Sequence, residues 1–201
     1  MRALAFAVAL VVSGCASSAH EPVRLGPASA PLSADDYEDV LARWSREEKV
    51  FQGLQSILFA RATMLAPEMK QALAAKYPEA STAGDPDYVK VVTSDEGWQF
   101  FFAPSVSSAK WNDFHRDNSI WTISLRVDDA EPVAPVIDKV RIDANLKIIY
   151  PYLNPYSNGY TLVFPTTRED GTPTIPDSSQ KVVLRVASAL GASEMTWALA
   201  R

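Results

Sequence analysis

Trp121, Ile123, Leu125 and Val127 alternate with Thr122, Ser124 and Arg126, a period of two that suits a half-buried β-strand and no helix. Similar runs recur through the C-terminal half. Residues 88–93 are short and β-branched, and 98–103 are aromatic on both faces, as in a central strand. Residues 136–142, 146–152, 159–164 and 181–187 follow, and 195–199 would add an edge strand. Between them stand turn signals at Asp128-Asp129, Pro155, Asn158-Gly159 and Asp170-Gly171. Short strands at close spacing without intervening helices predict an antiparallel β-sandwich or barrel.

The preceding part differs. Ser33 offers a capping hydroxyl ahead of Asp35 and Asp36, acids suited to a helix N-terminus. Tyr37, Val40, Leu41 and Trp44 then recur at helical spacing, predicting a helix over 34–48. Residues 51–65 admit a helix through Leu54, Leu58 and Arg61. Ile57, Phe59 and Thr63 tip the reading toward a long strand, with Gly53 loosening its start. Pro67 followed by good helix formers, with Pro78 as a stop, predicts a helix over 67–77. Residues 81–86 read as a loop. The expected class is therefore α+β, mainly β with N-terminal helices. Residues 33–87 form the helical part and 88–201 the sandwich part of one domain.

The first residues carry an address. Arg2 precedes an apolar run from Ala3 to Val12, and small residues follow up to Cys15. This is the layout of a secretory signal over 1–14, far short of the ~20 apolar residues that span a bilayer. Val12-Ser13-Gly14-Cys15 resembles the lipobox of bacterial lipoproteins. That resemblance covers the signal alone. It implies that the Cys15 thiol takes a diacylglyceryl group, that cleavage frees its amine, and that the amine is acylated in turn, palmitate being the usual kind of chain. Cys15 is also the only cysteine, so no disulfide can form within the chain, and lipid would mask a thiol otherwise exposed to oxidation. Two or three acyl chains anchor far more firmly than one. The sorting rule known for enteric lipoproteins holds chains with Asp after the cysteine at the inner membrane. Ala16 departs from it, so the resemblance implies the outer membrane, on its periplasmic or surface face.

Residues 15–32 would be the lipidated N-terminus and a linker, small and polar, with Pro22, Pro27 and Pro31. At ~3.1 Å per residue, such a spacer reaches on the order of 50 Å, and His20 within it reads as a passive linker residue. Loss of Arg2 with the signal leaves 18 basic against 24 acidic residues, a net charge of −6. That balance argues against a nucleic-acid partner, which needs a basic footprint, and against adhesion to anionic lipid by charge. Hydrophobic residues at 47%, with 10% aromatic, suffice for a core rather than a disordered chain.

Candidate chemistry is thin. His115 lies in a polar, turn-prone segment with no Gly-x-Ser-x-Gly elbow elsewhere to pair with it. Asp113, Asp117, Asp128, Asp129 and Glu131 flank the Trp121 strand, but no calcium-loop spacing joins them. Zinc would lack a free cysteine and a histidine pair, and the eight glycines form no phosphate-cradling array. The expectation is a protein without catalytic residues, metal or cofactor. Tyr150, Tyr152, Tyr156 and Tyr160 with Pro151 and Pro155 form the most unusual local composition. Such an aromatic rim can stack a sugar or receive a peptide, or simply pack. Alternation places Tyr150 and Tyr152 with Ile148 on a buried strand face and leaves Tyr156 exposed, the candidate contact. The stretch 150–165 also resembles the connection between two late strands of immunoglobulin-like sandwiches. The leading expectation is an envelope lipoprotein, held in the bilayer through Cys15, that binds another envelope protein or serves a structural role. The alternative is a solute- or glycan-binding lipoprotein.

Overall fold

Phe100, Phe101 and Phe102 are all fully buried, which a strand permits only when both sheet faces are covered. In the computed structural model, which describes residues 20–78 and 97–200, they lie at the centre of a five-stranded antiparallel sheet. Its strands are β1 (Ser45–Gln52), β2 (Gln55–Met64), β3 (Trp98–Val106), β5 (Val136–Val140) and β6 (Gly159–Phe164), in the order β1-β2-β3-β6-β5. A second antiparallel sheet holds β4 (Thr122–Val127), β7 (Lys181–Ser188) and β8 (Gly191–Ala198), in the order β4-β7-β8. The fold is mainly β and sandwich-like, with short helices: α1 (Tyr37–Trp44) after a 3-10 turn at Ala34–Asp36, α2 (Pro67–Lys76) and α3 (Ala144–Ile149).

On one face of the larger sheet, Phe100 meets Trp197 of β8 at 5.4 Å between ring centroids and Phe164 of β6 at 5.6 Å. Phe101 points the other way and stacks on Tyr150, just beyond α3, at 4.1 Å and 14°. Helices cover that second face. The Tyr37 hydroxyl donates to the Ile149 carbonyl at 2.6 Å, and the Tyr37 ring meets Tyr77 edge-on at 5.3 Å. Glu68 joins α2 to α1 by accepting from Arg43 Nη1 at 2.6 Å and from Trp44 Nε1 at 2.8 Å. The expected inward face of β4 holds: Trp121, Ile123, Leu125 and Val127 are all buried.

Several expectations shift. The helix expected over 34–48 ends at Trp44, and Ser45–Glu48 opens β1. Ser45 is already extended and pairs with Thr63 across the hairpin, hydroxyl to hydroxyl at 2.7 Å. Residues 51–65 are extended as preferred, but as the end of one strand and the whole of another. Gln52 pairs with Gln55, and Gly53 adopts φ +61 at the first position of the two-residue turn, a conformation such turns demand. The strand expected over 146–152 is helix instead. Asp143 caps α3 by accepting from Leu146 N at 2.8 Å, and helical spacing buries Leu146 and Ile149 while Ile148 stands 60% exposed. The stretch after Tyr150 therefore joins a helix to β6, not one strand to another. The edge strand expected over 195–199 is the longer β8. Residues 81–86 and 88–93, the signal and Cys15 lie outside the described residues.

The described part of the expected spacer is held against the domain. Val23 is 1% exposed within the core cluster and forms a parallel bridge to Leu199. Its N–H donates to the Ala198 carbonyl at 2.8 Å, and its carbonyl accepts from Ala200 N at 2.8 Å. Ala28 N donates to Gln71 Oε1 of α2 at 3.0 Å. No helix among the described residues is long and apolar enough to cross a membrane.

Candidate functional site

The chain leaves α1 and enters β1 beside the edge of β8. The two strands belong to different sheets, and the side chain of Arg46 fills the seam between them. Its Nε donates to the Thr196 carbonyl of β8 at 2.8 Å, and Nη1 donates to the Arg43 and Ser45 carbonyls at 2.8 and 2.7 Å. The guanidinium lies over the Trp197 ring, 5.4 Å from its centroid. Arg46 is only 4% exposed. No carboxylate among the described residues lies within ion-pair distance, and Nη2 is buried without an acceptor. Loss of water alone draws its pKa down to about 10, the response of a buried cation with no counter-charge.

Arg46 lines a cleft of about 440 Å³. Leu41 and Ala42 of α1 and Pro151 beyond α3 give it an apolar wall, and Glu38, Glu47, Arg61 and His20 ring it with charge. Arg61 is spoken for. Its Nε donates to Glu47 Oε2 at 2.6 Å, its Nη2 bonds the same oxygen, and it lies over the Tyr152 ring at 5.2 Å. Tyr152 closes the back of the cleft. Its hydroxyl shares a 2.7 Å bond with Thr63 Oγ1, which bonds Ser45 Oγ in turn, and burial pushes it well above the usual tyrosine range. Partial burial, then the Arg46 charge, draws His20 below the usual histidine range. Ser45 Oγ is thus engaged by a hydroxyl rather than by a base. The cleft sets an apolar wall beside a buried, carbonyl-held cation and a closed chain of hydroxyls, and its volume and apolar wall suit a small molecule.

Of the residues singled out from sequence, His20, Pro151 and Tyr152 line the cleft, and the others fall elsewhere. Tyr156 is 81% exposed, its N–H donating to Asn154 Oδ1 at 2.8 Å in a side-chain-closed turn. Tyr150 is fully buried and Tyr152 half-buried, though neither shares a strand face with Ile148. His115 is exposed, its ring 5.9 Å from that of Tyr160. Asp113 accepts from Ser119 Oγ at 3.0 Å, while Asp128 caps the start of β7 by accepting from Gln180 N and Lys181 N at 3.0 and 2.9 Å. Asp128, Asp129 and Glu131 line a separate hollow of about 470 Å³ with Arg168. Among the described residues no group of three or more His, Cys, Asp or Glu could hold a metal.

The helix expected over 34–48 takes in Arg46, a position where an arginine reads as solvated. One signal could have found it: a strand extended back from buried Val50 by twos puts Arg46 on the Val50 face.

No family model matches the chain, and no curated protein matches it. Among solved structures it is similar to one described as a "novel protein of unknown function" from Burkholderia pseudomallei K96243. The identity is 12%, with 81% of this chain and 88% of that one covered and a TM-score of 0.34. That likeness carries no argument.

Proposed function

We propose that this chain is a bacterial envelope lipoprotein, anchored through acylated Cys15, whose sandwich domain works by binding rather than by catalysis. The observation that carries the reading is the sequence Val12-Ser13-Gly14-Cys15 behind an apolar run, with Cys15 the only thiol in the chain. The principal partner is another envelope protein, met at the outer membrane, and the exposed Tyr156 loop is one contact surface for it. A second reading, solute binding, is favoured by the Arg46 cleft, whose volume and apolar wall suit a small molecule.

The test is direct. The N-terminus of the mature protein is analysed by mass spectrometry, and Cys15→Ala is compared with wild type in detergent partition. The expected result is a diacylglyceryl cysteine at position 15 and transfer of the variant to the aqueous phase. An unmodified Cys15, or a wild-type protein that stays soluble after fractionation, overturns the reading.

A further inference from the structure

We infer that residues 20–32 form a clasp that opens at Val23 while the sandwich stays folded, switching the tether to Cys15 between a short and a long state. The opening is a property of the fold. The two tether lengths rest on the anchored-lipoprotein reading.

The clasp is held at few points. Of residues 20–32 only Val23 is buried; Leu25, Ala28 and Leu32 are half-buried, and the other nine are exposed. Among the described residues, three hydrogen bonds join this stretch to the rest of the domain. Two are the backbone bonds on either side of the Val23 bridge, and the third runs from Ala28 N to Gln71 Oε1. Past Ala28 the chain stands off α2. A hollow of about 420 Å³ has residues 28–32 on one side and Gln71 and Ala74 on the other. Every ordered residue gives up backbone freedom, and one buried valine with three bonds sets little against that loss. Segments with few buried apolar contacts and few backbone bonds open locally, at lower cost than the core.

What the clasp leaves behind holds without it. Leu199 N donates to the Gln180 carbonyl at 2.7 Å, and β8 keeps its whole ladder with β7. Opening at Val23 therefore releases two backbone groups of the sheet, the Ala198 carbonyl and the Ala200 N–H. At the far end of the clasp the fold resumes at Ser33, whose Oγ donates to Asp36 Oδ2 at 2.6 Å, and at buried Tyr37. The free chain between Cys15 and the domain then grows from seven residues, 16–22, to seventeen, 16–32.

Native-state hydrogen exchange tests this on the full chain in non-ionic detergent, read by nuclear magnetic resonance at denaturant levels below the unfolding transition. The Val23 and Ala200 amides report the clasp. Those of Leu65 and Leu125, bonded to the Gln99 and Val133 carbonyls, report the body of the domain. Val23 and Ala200 are expected to share one opening, to exchange about tenfold or more faster than the reference amides, and to respond little to denaturant. Val23→Asp should strip protection from Ala200 and leave Leu65 and Leu125 protected. Gln71→Ala, at an exposed position, should quicken exchange at Val23 and Ala200 without moving the unfolding midpoint, and serves where Val23→Asp does not fold. Exchange of Val23 and Ala200 in step with Leu65 and Leu125, at the same denaturant slope, overturns the clasp. The mass of the N-terminus reads the anchor separately. Fast clasp exchange beside an unmodified Cys15 overturns the lipoprotein reading and the tether role, and upholds the opening.

Discussion

The indole N–H of Trp197 donates to the main-chain carbonyl of Trp44 at 3.0 Å, so the last strand is tied to the end of the first helix across 153 residues of sequence. This bond lies beside the Arg46 bond to Thr196. Together they close the seam where the two sheets meet without a ladder.

Trp197→Ala removes a fully buried ring that also packs on Phe100 and underlies Arg46. A loss of ~3–5 kcal/mol is expected in denaturant unfolding, the range for large aromatic truncations in cores. A loss below about 1 kcal/mol would mean that the seam contributes little to holding the sheets together.

Alkaline stability follows from two tyrosines. Burial raises the Tyr160 hydroxyl to about 12, with Asp113 pushing the same way and Arg116 opposing. Burial raises Tyr152 as well, against the pull of Thr63 and Arg61. The folded protein therefore holds these protons longer than the unfolded chain does. That contribution is complete below the unfolded value near 10 and is lost as pH rises through the folded value, a window of about pH 10 to 12 for Tyr160. Tyr160→Phe gives up the hydroxyl's 2.6 Å bond to Asn112 Oδ1, at a cost of ~1 kcal/mol near neutral pH. Its stability should fall less steeply than wild type across that window, as followed by circular dichroism against pH.

Tyr156→Ala separates contact from packing. With the ring 81% exposed, stability should stay within about 0.5 kcal/mol of wild type. Crosslinking in intact cells, with and without the ring, then reads the binding role. Normal stability together with an unchanged crosslinking pattern removes this loop from the partner surface.

The β architecture was legible where one face is buried and one is wet. In β4 the period of two is unbroken, and the structure puts all four apolar residues inside. The sequence around Ile148 misled because β-branched residues suit strands, whereas the deciding signal was Asp143 three residues before Leu146, a cap that makes a helix of six residues. The end of α1 was unreadable for a different reason. Nothing in Ser45–Glu48 opposes a helix locally, and only pairing with β2 selects strand there. The cleft was the least legible part. Its members come from α1, β1, β2, the turn after α3 and His20, and neither spacing nor composition announces that Arg46 has no counter-charge.

The bridge from Val23 to Leu199 sets the length of the leash. With Cys15 acylated, only residues 16–22 separate the lipid from a point fixed in the core. Even a fully extended chain spans at most about 3.6 Å per residue, or roughly 29 Å from Cys15 to Val23. That is little more than half the reach of a spacer running to residue 32. The domain would stand on the membrane rather than float above it. The tether would leave the domain at the end that bears Val23, within that distance of the headgroups. A partner in the same leaflet would then meet this domain within a narrow range of heights, and lengthening the chain between Cys15 and His20 would widen that range while leaving the Val23 bridge in place.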